Sequence, residues 1–232
     1  MLIELDAVRL VTDPVLRSRV THLRRIVPPA VEVRPVDAIL VSHLHWDHLD
    51  VPSLRRFDPS VTVVVPRGSA RLFRRFETVV EVEPGDRVPV CAVEVLATPA
   101  EHDGRRGPFG VQAPALGFVL TGSRRVYFAG DTDLFDGMPE IAAGGLDLAL
   151  IPVAGWGAKL GPGHLDAARA AEAARLLHPK LAVPIHWGTL RPITERSDPS
   201  FRPAEDFQRL TARLAPDVDV RILAPGESLD LS

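Results

Sequence analysis

The run Ser42-His43-Leu44-His45-Trp46-Asp47-His48-Leu49 constrains this chain more than any other stretch. Read from His43, it is His-x-His-x-Asp-His. Three imidazoles and a carboxylate this close together form the donor set that a zinc-type cation takes. The run follows an apolar, strand-like segment, Ala38-Ile39-Leu40-Val41, and ends it abruptly. If residues 37–42 are a strand, His43 and His45 leave its end on one side, because strand side chains alternate. Asp47 and His48, past the turn, reach a second position nearby, so the spacing suggests two ions rather than one. Buried without metal, these groups would leave several polar atoms unpaired, each costing about 1–3 kcal/mol.

The 232 residues are enough for one large domain, and residues 1–232 are expected to form one. Apolar residues at 46% and charged residues at 25% fit a globular protein in water. A net charge of −3 gives no global attraction to nucleic acid or an anionic membrane. No apolar run approaches the roughly 20 residues that span a bilayer. The N-terminus, Met1-Leu2-Ile3-Glu4-Leu5-Asp6, lacks the basic-then-apolar pattern of a signal peptide. A single cysteine, Cys91, rules out an internal disulfide and reads as packing within a strand. These features point to the cytoplasm; they leave open whether the chain forms homo-oligomers.

Short β-rich runs alternate with helical ones. Strands are expected over residues 2–11, 37–42, 61–65, 78–82, 93–98, 146–152, 181–185 and 218–223, with a hairpin joining 116–121 to 125–129 across Gly122-Ser123. Helices are expected over residues 52–57, 70–76, 166–177 (capped by Asp166) and 203–214. This rhythm predicts an α/β fold (α+β in some schemes): a four-layer αββα sandwich of two mixed sheets packed face to face. In such a fold, loops that follow strands at one sheet edge supply the ligands.

Four residues outside the run meet that test. His102 follows the strand 93–98; alone, an exposed loop histidine would be the plainer reading. Asp131 follows residues 125–129, and its two oxygens could bridge two cations. His186 ends an apolar strand in Ile185-His186-Trp187-Gly188. His164, in Gly163-His164-Leu165-Asp166, could face the site from just outside the ligand set. His22 and His178 read as surface residues. With the run, these supply seven ligands for two ions: His43, His45, Asp47, His48, His102, Asp131 and His186.

With these residues in view, the chain resembles the metallo-β-lactamase superfamily. Within it, the chain is similar to the branch of ascorbate-6-phosphate lactonase and N-acylphosphatidylethanolamine-hydrolysing phospholipase D. The His43-x-His45-x-Asp47-His48 signature carries the superfamily. Pro99-Ala100-x-His102, Ala129-Gly130-Asp131-Thr132, Gly163-His164-x-Asp166 and Ile185-His186-Trp187-Gly188-Thr189 carry the branch. The resemblance implies that His43, His45 and His102 bind one metal. It implies that Asp47, His48 and His186 bind the other, with Asp131 between them and His164 beside the reacting group. The phospholipase carries a longer N-terminal region, whereas the sequence here begins almost at the first expected strand, so a phospholipid substrate is not expected.

The chemistry expected is hydrolysis of an ester, lactone or phosphodiester of a small molecule, a phosphorylated one being favoured. Paired divalent ions lower the pKa of bound water toward about 7 and polarise the electrophile. Zinc is expected first, with manganese, iron or nickel compatible. Asp47, Asp131 and His164 are the candidates for catalytic roles, His164 as proton donor. Arg105 and Arg106, in the loop after His102, could grip a phosphate or carboxylate, or stand as solvated loop charges. Trp46, Trp156 and Trp187 lie beside ligand loops and could wall the pocket or pack beneath it. Two other readings compete: a non-catalytic metal-binding or sensor protein on the same scaffold, and a phospholipase-D-like phosphodiesterase.

Overall fold

The computed structural model describes residues 1–28, 35–107, 109–154, 160–194 and 202–231. In chain order the strands are β1 (Leu2–Leu5), β2 (Val8–Thr12), β3 (Arg19–Val20), β4 (Leu23–Arg25), β5 (Ala38–Leu40), β6 (Thr62–Pro66), β7 (Val79–Val82), β8 (Arg87–Val90), β9 (Val93–Pro99), β10 (Leu116–Thr121), β11 (Arg125–Phe128), β12 (Leu148–Pro152), β13 (Leu181–Ile185), β14 (Leu190–Pro192) and β15 (Asp219–Val220). The helices are α1 (Val51–Leu54), α2 (Met138–Ile141), α3 (Ala167–Leu177) and α4 (Arg202–Leu214).

One sheet has the order β1-β2-β5-β6-β7 and the other β15-β13-β12-β11-β10-β9-β8. Both are mixed. In the first, only the β1–β2 pair is antiparallel. In the second, β15, β13, β12 and β11 run parallel and β10, β9 and β8 continue antiparallel. Parallel strands covered on both faces need apolar residues throughout, which is why β5 and β6 read as unbroken runs. Leu10, Leu40 and Val64 from one sheet meet Phe118, Leu120 and Val126 from the other in the central layer. Val63 and Val65 turn the other way, onto Leu54, Phe57 and Phe73. On the far side of the second sheet, Tyr127 and Ile151 pack with Ala170 and Ala174 of α3 and Phe207 of α4. Small alanines let α3 lie close to both the sheet and α4. The result is the expected αββα arrangement.

Several expectations are corrected. Residues 70–76 form only a single 3₁₀ turn, Ala70–Leu72. The closing strand shortens to Asp219–Val220. β5 ends at Leu40, so His43 and His45 stand on irregular backbone rather than at a strand end. Cys91 is exposed in the turn between β8 and β9 with φ 51°, and is not a packed strand residue. A third sheet, β14-β4-β3, was not anticipated. Among the described residues, no helix is long and apolar enough to cross a membrane.

Candidate metal centre

The strand ends at one edge of the sandwich deliver the expected residues to one place. The loop after β5 is pinned from both sides. Ser42 donates its N–H and hydroxyl to Asp13 at 2.8 and 2.6 Å, and its carbonyl accepts from Leu116 N–H at 2.9 Å. A single turn follows, His48 and Leu49 N–H both donating to the carbonyl of His45. The loop after β9 is tied to the loop after β11: Glu101 and Asp133 bridge, and Glu101 N–H donates to Thr132 Oγ1. Gly130 sits before Asp131 with φ 63°, and a Cβ there would lie 2.8 Å from the carbonyl oxygen of Leu116. Only glycine suits this position.

Seven side chains converge in two groups. In one, His45 Nδ1 lies 3.2 Å from His43 Nε2 and 3.0 Å from His102 Nε2. In the other, His48 Nε2 and His186 Nε2 are 3.1 Å apart, and Asp47 Oδ2 is 3.8 and 3.6 Å from them. Asp131 Oδ2 spans the groups, 3.2 Å from His48 Nε2, 3.4 Å from His186 Nε2 and 4.0 Å from His43 Nε2. Its other oxygen, Oδ1, is buried with no hydrogen-bond partner among the described residues.

These donors fit a metal. Two nitrogens each bound to one tetrahedral zinc at its usual bond length would stand about 3.3 Å apart. The ring nitrogens here approach that spacing, and one proton per ring cannot satisfy every close pair. The far nitrogens are already committed. His102 Nδ1–H donates to the carbonyl of Gly163 at 2.7 Å, and His186 Nδ1–H to that of Ala154 at 2.6 Å. A carbonyl accepts only, so each Nε2 keeps its lone pair for a cation. His48 Nδ1 is held by Asp13 Oδ2 at 2.8 Å, and His43 Nδ1 by Ser42 Oγ at 3.0 Å. His186 has φ 62°, a left-handed conformation rare outside glycine. Such strain concentrates at functional sites.

The two groups differ electrically. Burial pushes His43 well below the usual imidazole range and takes His102 down to about 4; His45 is lowered as well, chiefly by burial. These three rings are neutral, as ligands must be. For His48 and His186, burial opposes charge, but Asp131 and Asp47 outweigh it and raise both. Asp131 stays ionised despite burial because His186 and His48 hold it far below the carboxylate range. That half of the site calls for positive charge between its two carboxylates.

His164 lies beside Asp131, half-buried. Its Nδ1 is 3.2 Å from the carbonyls of both Gly161 and Pro162, and its Nε2 is 3.6 Å from Asp131 Oδ2. A cavity of about 1280 Å³ borders the cluster at Asp47, His48, Asp131 and His186 and is also lined by Leu5, Val126, Phe128 and Leu150 between the sheets.

The other candidates lie elsewhere. Arg105 is exposed and donates to Gln112. Arg106 turns back: its Nη1 donates to the carbonyls of Leu44 and Leu49 at 2.7 and 2.9 Å, and its guanidinium covers the Trp46 ring at 4.0 Å. Trp187 donates to the carbonyl of Pro184 and packs against the helix-side core. Trp156 lies outside the described residues. His22 and His178 are exposed, His178 ending α3 in a left-handed cap. Sequence reasoning missed Asp13. Its one signal was an Asp-Pro pair closing an apolar strand; in the structure its φ of 44° turns the carboxylate onto Ser42 and His48.

A sandwich of this kind, with histidines and aspartates gathered at one sheet edge, defines the metallo-β-lactamase fold. The beta-lactamase superfamily domain matches residues 8–187, a span that contains every ligand candidate. Over 98% of its length the chain is 32% identical to the UPF0173 metal-dependent hydrolase MK1542 of Methanopyrus kandleri, of which it covers 94%. It is 29% identical to the uncharacterised protein Rv0906 of Mycobacterium tuberculosis, covering 99% of this chain but 66% of that longer one. Among solved structures, Igni18, a metallo hydrolase of Ignicoccus hospitalis, superposes with a TM-score of 0.70 over 98% of this chain and 92% of its own, at 24% identity. The chain belongs to the metallo-β-lactamase superfamily, among the UPF0173 metal-dependent hydrolases.

Proposed function

We propose that this chain hydrolyses an ester, lactone or phosphodiester of a small molecule in the cytoplasm, with two divalent ions, zinc first among them. One observation carries the reading: His43, His45 and His102 form one donor group and Asp47, His48 and His186 another, while Asp131 Oδ2 lies close to His43, His48 and His186 and its second oxygen is buried and unpaired among the described residues. His43, His45 and His102 would hold one ion, and Asp47, His48 and His186 the other. When bound, such ions supply a hydroxide nucleophile at neutral pH and polarise the electrophile.

The chain's own groups do the rest. Asp131 fixes the spacing between the two ligand groups, and Asp47 can orient the attacking group or move its proton. His164 donates from Nδ1 to backbone carbonyls, so Nε2 is available to take up a proton and pass it to the leaving group. Trp187 supports the His186 loop from beneath.

The test joins metal content to turnover of bis-p-nitrophenyl phosphate and a lactone panel, before and after chelation. Activity should vanish on chelation and return with metal. His45→Ala is expected to lose metal and activity together. His164→Asn should keep its metal and lose roughly 10²–10⁴-fold in kcat. An unchanged kcat removes His164 from the reaction, and metal without turnover on any substrate favours a binding protein.

A further inference from the structure

The cavity beside the metal centre extends well past the ligands. Its volume is about 1280 Å³, and Asp47, His48, Asp131 and His186 border it. One wall is built in rows. Val126 on β11 pairs with Leu148 on β12, and Phe128 pairs with Leu150, which pairs with Val183 on β13. All five line the cavity and face the layer between the sheets. The rows are two residues apart, about 7 Å along the strands. Asp131 comes three residues after Phe128, and His186 three after Val183. The rows therefore lead from the interior to the ligands. Leu5 of β1 lines the cavity from the opposite sheet, and half-buried Leu223, beyond β15, borders it as well. Charged residues also border it. Asp6, Arg124 and Glu227 are exposed and so stand at its rim, and Arg9 is paired with Glu4.

Such a space between two sheets is uncommon. Protein interiors leave few voids larger than a water molecule, and an apolar cavity costs more stability as it grows. Walls of valine, leucine and phenylalanine offer water no hydrogen-bond partners, so they suit an apolar occupant. The volume exceeds the roughly 300–1,000 Å³ of common ligand pockets. Continuity with the ligands means that one molecule can reach both the rows and the metal centre.

We propose that the substrate carries an alkyl chain, which lies between the sheets along these rows while its ester, lactone or phosphodiester group meets the ligands. The reaction in this statement rests on the hydrolase reading; the alkyl site does not.

The experiment has two arms. Calorimetric titration of the full chain after chelation, with 1-butanol, 1-hexanol and 1-octanol, reads binding alone. Each added CH₂ should tighten binding about fourfold. Turnover of p-nitrophenyl acetate, butyrate, hexanoate and octanoate by the metal-loaded enzyme should show a similar rise in kcat/KM per CH₂. Leu148→Trp and Leu223→Trp fill the cavity away from the ligands. Both should leave acetate turnover unchanged and weaken 1-octanol about tenfold or more; Leu223, outside the strands, carries the lesser risk to folding. Leu214→Trp, at an exposed position on α4, should change neither. The proposal is overturned if the alcohols fail to bind, if affinity ignores chain length, or if both filling variants bind 1-octanol like wild type. Length-dependent alcohol binding without turnover of any ester supports the alkyl site and counts against the hydrolase reading. Acetate turnover without alcohol binding or a chain-length effect does the reverse.

Discussion

At the scale of single residues, the groups around the ligands matter as much as the ligands. Asp13 holds His48 Nδ1 and both donors of Ser42. Asp13→Asn should keep the fold and lower metal affinity about 10–100-fold, measured by competition with a chromogenic chelator. Arg106 bonds to the carbonyls at both ends of the His45–His48 turn, so it reads as a clamp on that turn. Arg106→Met is expected to weaken metal binding about tenfold while the metal-free chain melts as before; Arg106→Lys should recover part of the loss. The ligands were legible because histidine and aspartate at the ends of apolar runs have few other uses. Asp13 and Arg106 were not, because their roles lie in partners 35 and 57–62 residues away, which no local pattern encodes. Arg105 and Arg106 look alike in sequence; only packing shows that one faces water and the other the loop.

At the scale of elements, the short helix α1 sits directly behind the ligand turn. Its N-cap, Asp50, is buried and receives Arg17 and the Ser53 N–H. Burial alone would raise its pKa, but Arg17 and Ser53 outweigh it and lower the carboxyl. A carboxyl lowered on folding stabilises the fold above its unfolded pKa of about 3.9, and that contribution is lost as pH falls through the folded value. Asp50→Ala should therefore cost about 2–3 kcal/mol at pH 7, with the gap to wild type narrowing below about pH 4 in urea unfolding curves. The long periodic elements, α3 and α4, and the β-branched strands were readable because burial repeats along them. The sheet β14-β4-β3 was not: its strands have two or three residues, too short for any period to show. Residues 70–76 failed as a helix because arginines and phenylalanines at helical spacing mimic an amphipathic face.

At the scale of the whole molecule, the candidate ligands come from both sheets: His43 to His48 follow the first sheet, and His102, Asp131 and His186 the second. A ligand that binds only the folded state stabilises it by about 4 kcal/mol at a thousandfold excess over its Kd. Chelation should thus lower Tm by on the order of 10 °C in calorimetry, reversibly on adding zinc. The layered architecture could be read from the order of strands and helices, since few topologies bury so many apolar runs. The two donor groups also differ in how far apart their members lie along the chain. His43, His45 and His102 all belong to the first half, whereas Asp47 and His48 await His186, just past the last long strand. His102 is itself held by the carbonyl of Gly163, and its loop by Thr132 and Asp133, so even the trio that lies early in the chain waits on residues far beyond it, and a shortened product would complete neither group.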